Sequence, residues 1–291
     1  MKNADLALYR AKNEGRGVHR FFEVDMGRQM QARSRLQLDL RTALAEGQFE
    51  LHYQPLVNLE SNAISGLEAL LRWQHPTRGM VAPAEFVPLA EESGLIVPLG
   101  AWVLRQACLD AVALPGSIKI AVNLSALQLR SRQLAETVFS ALAASGLPAH
   151  RLELEITESV LLENSEATLA TLHTLRRLGV RIALDDFGTG YSSLGYLRRF
   201  PFDKIKIDRC FVADLSETAH GPAAILRALA GLGSSLGMTT TAEGVETSEL
   251  VKWVREEGLT EMQGYVFSPP RPIKDIARLY LTAAPHAATA A

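Results

Sequence analysis

The sequence predicts an α/β fold, a TIM-like (β/α)8 barrel with one antiparallel strand, on three observations. From Phe49 onward, apolar runs of four to eight residues alternate with amphipathic helical stretches over about 230 residues. Acidic or amide residues recur at the last positions of those runs: Glu68 after Ile64–Leu67, Asn123 after Lys119–Val122, Glu155 after Leu152–Leu154, Asp185 and Asp186 after Val180–Leu184, and Glu243 after Thr239–Ala242. A barrel collects residues from the ends of many parallel strands, whereas an open sheet concentrates its site at one switch point. Finally, the apolar segments 49–59 and 63–72 are joined only around Glu60-Ser61-Asn62. A connection that short cannot cross over to a parallel neighbour, so this pair is antiparallel.

In chain order, residues 1–26 come first. Ala4–Lys12 has helical spacing and stops at Gly15-Arg16-Gly17, a C-terminal capping signal. So short a stretch cannot form a core alone, and it reads as the end of an upstream domain plus a linker. Residues 27–284 form the barrel domain. It opens with a helix over 27–47 carrying Leu36, Leu38, Leu40 and Leu44 and ending at Gly47. Amphipathic helices follow among the apolar strands, at 83–93, 99–113, 126–145, 162–178, 210–236 and 247–257. Residues 285–291 are an Ala-rich tail expected to be disordered.

Composition bounds the function. Of the 291 residues, 47% are hydrophobic and 21% charged, which suits a globular enzyme with a sizeable core. A formal net charge of -2 gives no general attraction for a nucleic-acid polymer or an anionic membrane. An anionic substrate would need metal ions or local basic residues. Cys108 and Cys210 are too few for a disulfide framework and are expected to be buried free thiols in a reducing compartment. No apolar run approaches the roughly 20 residues of a membrane span. Met1–Asn13 lacks a signal-peptide core, so a cytoplasmic location is expected, with a longer parent free to carry an anchor elsewhere. The seven histidines show no metal-ligand spacing, which argues against zinc. Oxygen donors suit hard cations such as Mg²⁺ or Mn²⁺.

One series of motifs is specific by its order and spacing: Tyr53-Gln54-Pro55, Glu68-Ala69-Leu70-Leu71-Arg72-Trp73, Asn123-Leu124-Ser125, Glu155-Ile156-Thr157-Glu158-Ser159, Asp185-Asp186-Phe187-Gly188-Thr189-Gly190, Lys206-Ile207-Asp208, Glu243-Gly244-Val245-Glu246-Thr247 and Gln263-Gly264-Tyr265. Over roughly residues 30–284 the chain resembles the EAL-domain cyclic-di-GMP phosphodiesterases. Ala4-Asp5, Leu8-Tyr9, Ala11-Lys12 and Gly15-Arg16 likewise resemble the closing helix of a GGDEF domain. The Gly-Gly-Asp-Glu-Phe signature itself is absent, so no cyclase activity is expected. The resemblance implies hydrolysis of cyclic di-GMP to linear 5′-pGpG with two Mg²⁺ or Mn²⁺ ions, and inhibition by Ca²⁺. Glu68, Asn123, Glu155 and Asp185 would hold the first ion, and Asp185, Asp186 and Glu243 the second. Such a pair activates water and neutralises phosphate oxygens, which is what phosphodiester hydrolysis requires.

The remaining roles carry alternatives. Lys206 is a solvent-exposed lysine beside a strand, an imine-forming lysine of a barrel lyase, or a cation that orients the attacking water and stabilises phosphate charge. Gln263 is a turn residue before Gly264 or a hydrogen-bond partner of that water. Glu158 suits a helix cap and Glu246 a first-turn residue, whereas the resemblance implies that Glu158 supports the loop after Asp186 and that Glu246 anchors Lys206 or a loop near it. The resemblance places the loop after Asp186 and its adjoining helix at a homodimer contact and a GGDEF domain upstream. It implies substrate contacts from Gln54, Leu71, Arg72, Asp186, Gly264, Phe267 and Pro270, although Phe267 also suits a packing role. Two departures, Gly258-Leu259-Thr260 in place of Gly-Cys-Asp and Cys210 in place of serine, touch no implied ligand. A barrel that binds cyclic di-GMP without turnover is the rival within the same resemblance.

Overall fold

The structure, a computed structural model, describes residues 24–158, 166–188, 197, 199–213 and 221–283. Residues 1–23, the loop residues 189–196 and the tail lie outside the described residues, so the upstream helix, the expected dimer contact and the tail's disorder have no counterpart here. The chain divides into two compact units, one of residues through Phe49 with Trp73–Leu95, the other of Glu50–Arg72 with Ile96 onward.

The first unit holds helices α1 (Val24–Ala43) and α2 (Pro83–Ser93), with the short strand β3 (Gly79–Val81). Helix α1 buries Leu36, Leu40 and Ala43 but leaves Leu38 62% exposed, so the leucine spacing overstates its apolar face. It ends at Ala43 rather than 47, and a turn runs to Gly47. Pro83 at the first turn starts α2, and Gly94 in the left-handed conformation, φ 74°, ends it. Phe49, Trp73 and Phe86 pack as an aromatic cluster with centroids 5.5–5.8 Å apart, and Trp73 Nε1 donates to Gln48 Oε1 at 2.9 Å.

The second unit is the barrel. Its strands are β1 (Phe49–Asn58), β2 (Ile64–His75), β4 (Lys119–Leu124), β5 (Leu152–Thr157), β6 (Arg181–Phe187), β7 (Lys204–Ile207), β8 (Thr239–Ala242) and β9 (Glu261–Gln263). Pairing runs β1-β9-β8-β7-β6-β5-β4-β2 and closes through β1–β2, so eight strands form the ring. Every pair from β2 round to β9 is parallel, and β1 runs antiparallel to β9. The short link after β1 forces this reversal, as the sequence predicts. A two-residue strand, β10 (Arg271–Pro272), pairs antiparallel with β1 at His52 and Tyr53.

Around the ring lie α3 (Ile96–Val112), α4 (Ala126–Leu129), α5 (Leu134–Ser145), α6 (Glu166–Arg177), α7 (Arg209–Ala213), α8 (Gly221–Leu236), α9 (Ser248–Glu256) and α10 (Ile273–Ala283). The single helix expected over 126–145 is two, because a Ser125–Gln128 capping box opens a one-turn helix that stops at Arg130. Of the helix expected over 210–236, α7 and α8 are described, and residues 214–220 lie outside the described residues. Apolar-polar alternation is absent from the middle of β4 and from β5: Ile120, Ala121, Val122, Leu152, Leu154 and Ile156 are all buried, as strands covered on both faces require. Cys108 is buried, with its thiol pushed up to about 12 by burial, whereas Cys210 is exposed, which corrects the expectation of two buried thiols. Cys210 sits in the first turn of α7, on its solvent side. Among the described residues no helix is long and apolar enough to cross a membrane.

Candidate active site

The site is assembled at the end of the ring where the parallel strands finish. Register sets Asn123 of β4 opposite Glu155 of β5, and Lys206 of β7 opposite Thr241 of β8. Glu68 comes from β2, Asp185 and Asp186 from β6, Glu243 from the residue after β8, and Gln263 from the last position of β9.

At the centre lies Lys206, 1% exposed. Its Nζ is 2.7 Å from Glu243 Oε1, 2.9 Å from Glu155 Oε2, 3.2 Å from Asp185 Oδ1 and 3.5 Å from Glu68 Oε2. The solvent-exposed alternative for Lys206 is thereby corrected, because its position on β7 points it into the barrel. Burial disfavours its charged form, but Glu155, Glu243, Glu68 and Asp185 outweigh burial and hold the ammonium well above its ordinary range. An imine-forming lysine needs the opposite shift.

The carboxylates respond in different directions. Burial pushes Glu68 up, yet the Lys206 charge and hydrogen bonds from Gln263 Nε2 at 2.6 Å and Asn123 Nδ2 at 2.7 Å bring it below its ordinary value. Glu155 is raised well above the usual range, first by burial and then by Glu68, Asp185 and Glu153, which overcome Lys206. Burial, opposed by Lys206 and aided by Asp185 and Glu68, raises Glu243 to about 7. Asp186 is raised by burial and by the charges of Asp185 and Asp208.

Asp185 and Asp186 are neighbours in one strand, where successive side chains point to opposite faces. Both nevertheless reach one place: Asp185, Asp186 and Glu243 each offer an oxygen within 4.8 Å of the others. A register shift in the β6–β7 pairing between Leu184 and Phe187, and a left-handed Asp186 at φ 53°, turn the second carboxylate inward. The Asp186 N–H donates to Asp185 Oδ1 at 3.0 Å, which ties the kink to the site. Beyond it, Glu158 Oε2 accepts from the Gly188 N–H at 3.1 Å, so Glu158 supports the start of the following loop.

Gln263 Nε2 also donates to Gln54 Oε1 at 3.0 Å, and Gln54 Nε2 donates to the Ser268 carbonyl at 3.3 Å. Gly264 is fixed by close approach: a Cβ there would stand 1.9 Å from the Val245 carbonyl oxygen. Arg72 is half-buried, its Nη1 donating to the Leu71 carbonyl at 2.9 Å, while Phe267 is exposed and Pro270 half-buried. Glu246 lines the cavity and is exposed; the ion pairs found at Lys206 come from Glu68, Glu155, Asp185 and Glu243.

Five carboxylates (Glu68, Glu155, Asp185, Asp186 and Glu243) thus face one ammonium, a formal charge of -4 with all groups ionised. Glu155 Oε1 and Gln263 Oε1 are buried without a hydrogen-bond donor. Surplus negative charge and orphaned oxygen acceptors in an all-oxygen donor set fit divalent hard cations. The cavity above the cluster measures about 360 Å³.

Sequence reasoning missed Asp208, Arg209 and Tyr265, which also line this cavity. It missed a second ionic layer as well. Lys204 Nζ lies 2.6 Å from Glu153 Oε1 and 2.8 Å from Glu261 Oε2, all three nearly inaccessible. The signal was present: each stands two residues before a site residue on the same strand (Glu155, Lys206, Gln263), and period two puts both on the inner face.

Comparison with known proteins places the chain in a family. The EAL domain family matches residues 37–270. The uncharacterized protein y4lL of Sinorhizobium fredii is 54% identical over 94% of this chain and 33% of its own length. The bifunctional diguanylate cyclase/cyclic di-GMP phosphodiesterase MucR of Pseudomonas aeruginosa is 43% identical over 95% of this chain and 41% of its own. The chain therefore spans well under half the length of these curated relatives. The structure of the PaMucR phosphodiesterase in complex with c-di-GMP superposes with a TM-score of 0.79 at 42% identity, covering 83% of this chain and 99% of that one. The FimX EAL domain of Pseudomonas aeruginosa bound to c-di-GMP gives 0.76 at 27% identity, covering 81% and 96%.

Proposed function

The chain belongs to the EAL-domain family, and from that premise we propose that it is a metal-dependent phosphodiesterase that hydrolyses cyclic di-GMP to 5′-pGpG. The observation that carries the reading is the convergence of five carboxylates from three strands and the segment after β8 around one buried ammonium, beside acceptors that lack donors.

In this reading Glu68, Asn123, Glu155 and Asp185 hold one divalent cation, Mg²⁺ or Mn²⁺, and Asp185, Asp186 and Glu243 hold a second. The pair, when bound, lowers the pKa of water and neutralises phosphate oxygens. The protein's own groups do the rest. Gln263 Oε1, buried and without a donor, accepts a hydrogen bond from the attacking water and orients it. Lys206 keeps a fixed positive charge where negative charge grows on the phosphoryl group, at no reorganisation cost. Its raised pKa supports this role over an imine-forming one. Glu158, through Gly188, steadies the loop that follows Asp186. Gln54, Leu71, Arg72, Asp186, Gly264, Phe267 and Pro270 are the groups proposed to hold the nucleotide, with Arg72 suited to a phosphate or a guanine edge.

The wider organisation is proposed on the same footing. Residues 27–284 form the catalytic unit, 1–26 end a GGDEF domain, and the loop after Asp186 with its adjoining helix makes a homodimer contact. Ca²⁺, larger and less demanding in geometry, is expected to occupy the site and inhibit. A cytoplasmic setting goes with this reading, since that substrate is an intracellular messenger.

The test is turnover of cyclic di-GMP with Mg²⁺ or Mn²⁺ by the wild type and by Glu68→Ala. Linear dinucleotide from the wild type alone supports the proposal. Tight binding by the wild type without product would make the chain a sensor instead.

A further inference from the structure

Two cations line the cavity, Lys206 and Arg209, and they are differently placed. Lys206 lies on the floor, 1% exposed, with four carboxylates within 3.5 Å. Arg209 follows β7 by two residues, opens α7 and is exposed. Its stem is held from the opposite side by Gly244, at φ 66°, where a Cβ would come within 2.5 Å of the Arg209 Cβ. Only a residue without a side chain allows β8's loop to approach so closely, and the contact sets the Arg209 stem against Gly244, the residue after Glu243. Its neighbour Asp208 is engaged elsewhere, accepting the Cys210 N–H at 2.9 Å.

A cyclic dinucleotide carries two phosphates. The one that is cleaved belongs at the floor, among the carboxylates and the cations they would hold. The other would then reach toward the mouth, where the cavity lining carries the acidic Asp208 and Glu246 and the cationic Arg209. A guanidinium offers paired donors in the geometry of phosphate oxygens.

Resting on the phosphodiesterase reading above, we propose that Arg209 binds the phosphate of the cyclic dinucleotide that is not cleaved, and so selects for a substrate with two phosphates. The experiment compares Arg209→Gln and Arg209→Lys with the wild type in three measurements. These are kcat and KM for cyclic di-GMP, its dissociation constant in Ca²⁺, and kcat/KM for bis(4-nitrophenyl) phosphate, a diester with one phosphate. Arg209→Gln is expected to raise KM and the dissociation constant about 10- to 100-fold, the worth of one charged hydrogen-bond pair. The preference for cyclic di-GMP over the one-phosphate diester falls by a similar factor, and Lys recovers part of both. Unchanged KM and dissociation constant, or equal losses on the two substrates, would overturn the proposal while leaving the phosphodiesterase reading intact. A wild type that binds cyclic di-GMP without cleaving it defeats that reading, and the dissociation constants still decide the role of Arg209.

Discussion

Lys206 Nζ lies 2.9 Å from Glu155 Oε2, and neither side chain exceeds 1% exposure. A buried pair of this kind is held by its surroundings rather than by its own attraction, and removing one member leaves the other uncompensated. Lys206→Met should therefore lower the stability of the cation-free protein by about 3–5 kcal/mol, and added Mn²⁺ should restore part of it. Activity should fall at least about 100-fold with the loss of a charge aimed at the phosphoryl group. Thermal melting with and without Mn²⁺ checks this; a melting point insensitive to the substitution contradicts it.

Cation binding should release protons. Glu243 titrates near 7, above its ordinary 4.5, so folding favours its protonated form. Its contribution to stability is thus neutral below about pH 4.5 and becomes unfavourable as pH rises to 7, reaching about 3 kcal/mol. Cation-free wild type should lose stability relative to Glu243→Gln over that window. Near pH 7, calorimetric Mn²⁺ titrations in buffers of different ionisation enthalpy should differ, because protons leave as the ion binds. Identical heats in all buffers would rule this out.

Asp186 combines a left-handed backbone with a carboxylate in the cluster. Asn tolerates that conformation and removes the charge. Asp186→Asn should melt within a few degrees of the wild type yet lose most Mn²⁺-dependent activity. Asp186→Ala should also lose about 1–2 kcal/mol through backbone strain. Equal stability of the two variants would show that the kink is not strained.

Gly264 has no room for a side chain beside the Val245 carbonyl. Val245 N–H donates to the Gln263 carbonyl at 3.1 Å, so a displaced Gly264 also moves Gln263. Gly264→Ala should cost about 1–3 kcal/mol or more, as overpacking does, and depress kcat more than KM. Urea unfolding and steady-state kinetics of the variant measure the two effects.

Much of this was legible in the sequence because ligand type and strand ends coincide. Glu68, Asn123, Glu155, Asp185 and Glu243 each close an apolar run, and parallel strands carry such ends to one rim. The reversed β1 follows from a connection too short to cross over. What could not be read depends on departures from regular geometry or on longer-range contact. Ideal alternation turns Asp186 away from Asp185, and nothing local announces the register shift that brings it back. Arg209 looks like a surface residue until Gly244 of the next strand's loop is placed against it. Lys204 and Glu153 follow the inner-face parity of Lys206 and Glu155, but a charged inner layer runs against the expectation of an apolar barrel interior. Leu38 satisfied the leucine pattern of α1 and is exposed all the same, since only packing decides which side of a helix is covered.

The central claim is that these side chains hold a pair of divalent cations, and diffraction from crystals soaked in Mn²⁺ tests it most directly. The account predicts two anomalous peaks among Glu68, Asn123, Glu155, Asp185, Asp186 and Glu243, both lost when Glu68 and Asp185 are replaced by alanine. An ordered, soaked crystal with no manganese among those residues would contradict it.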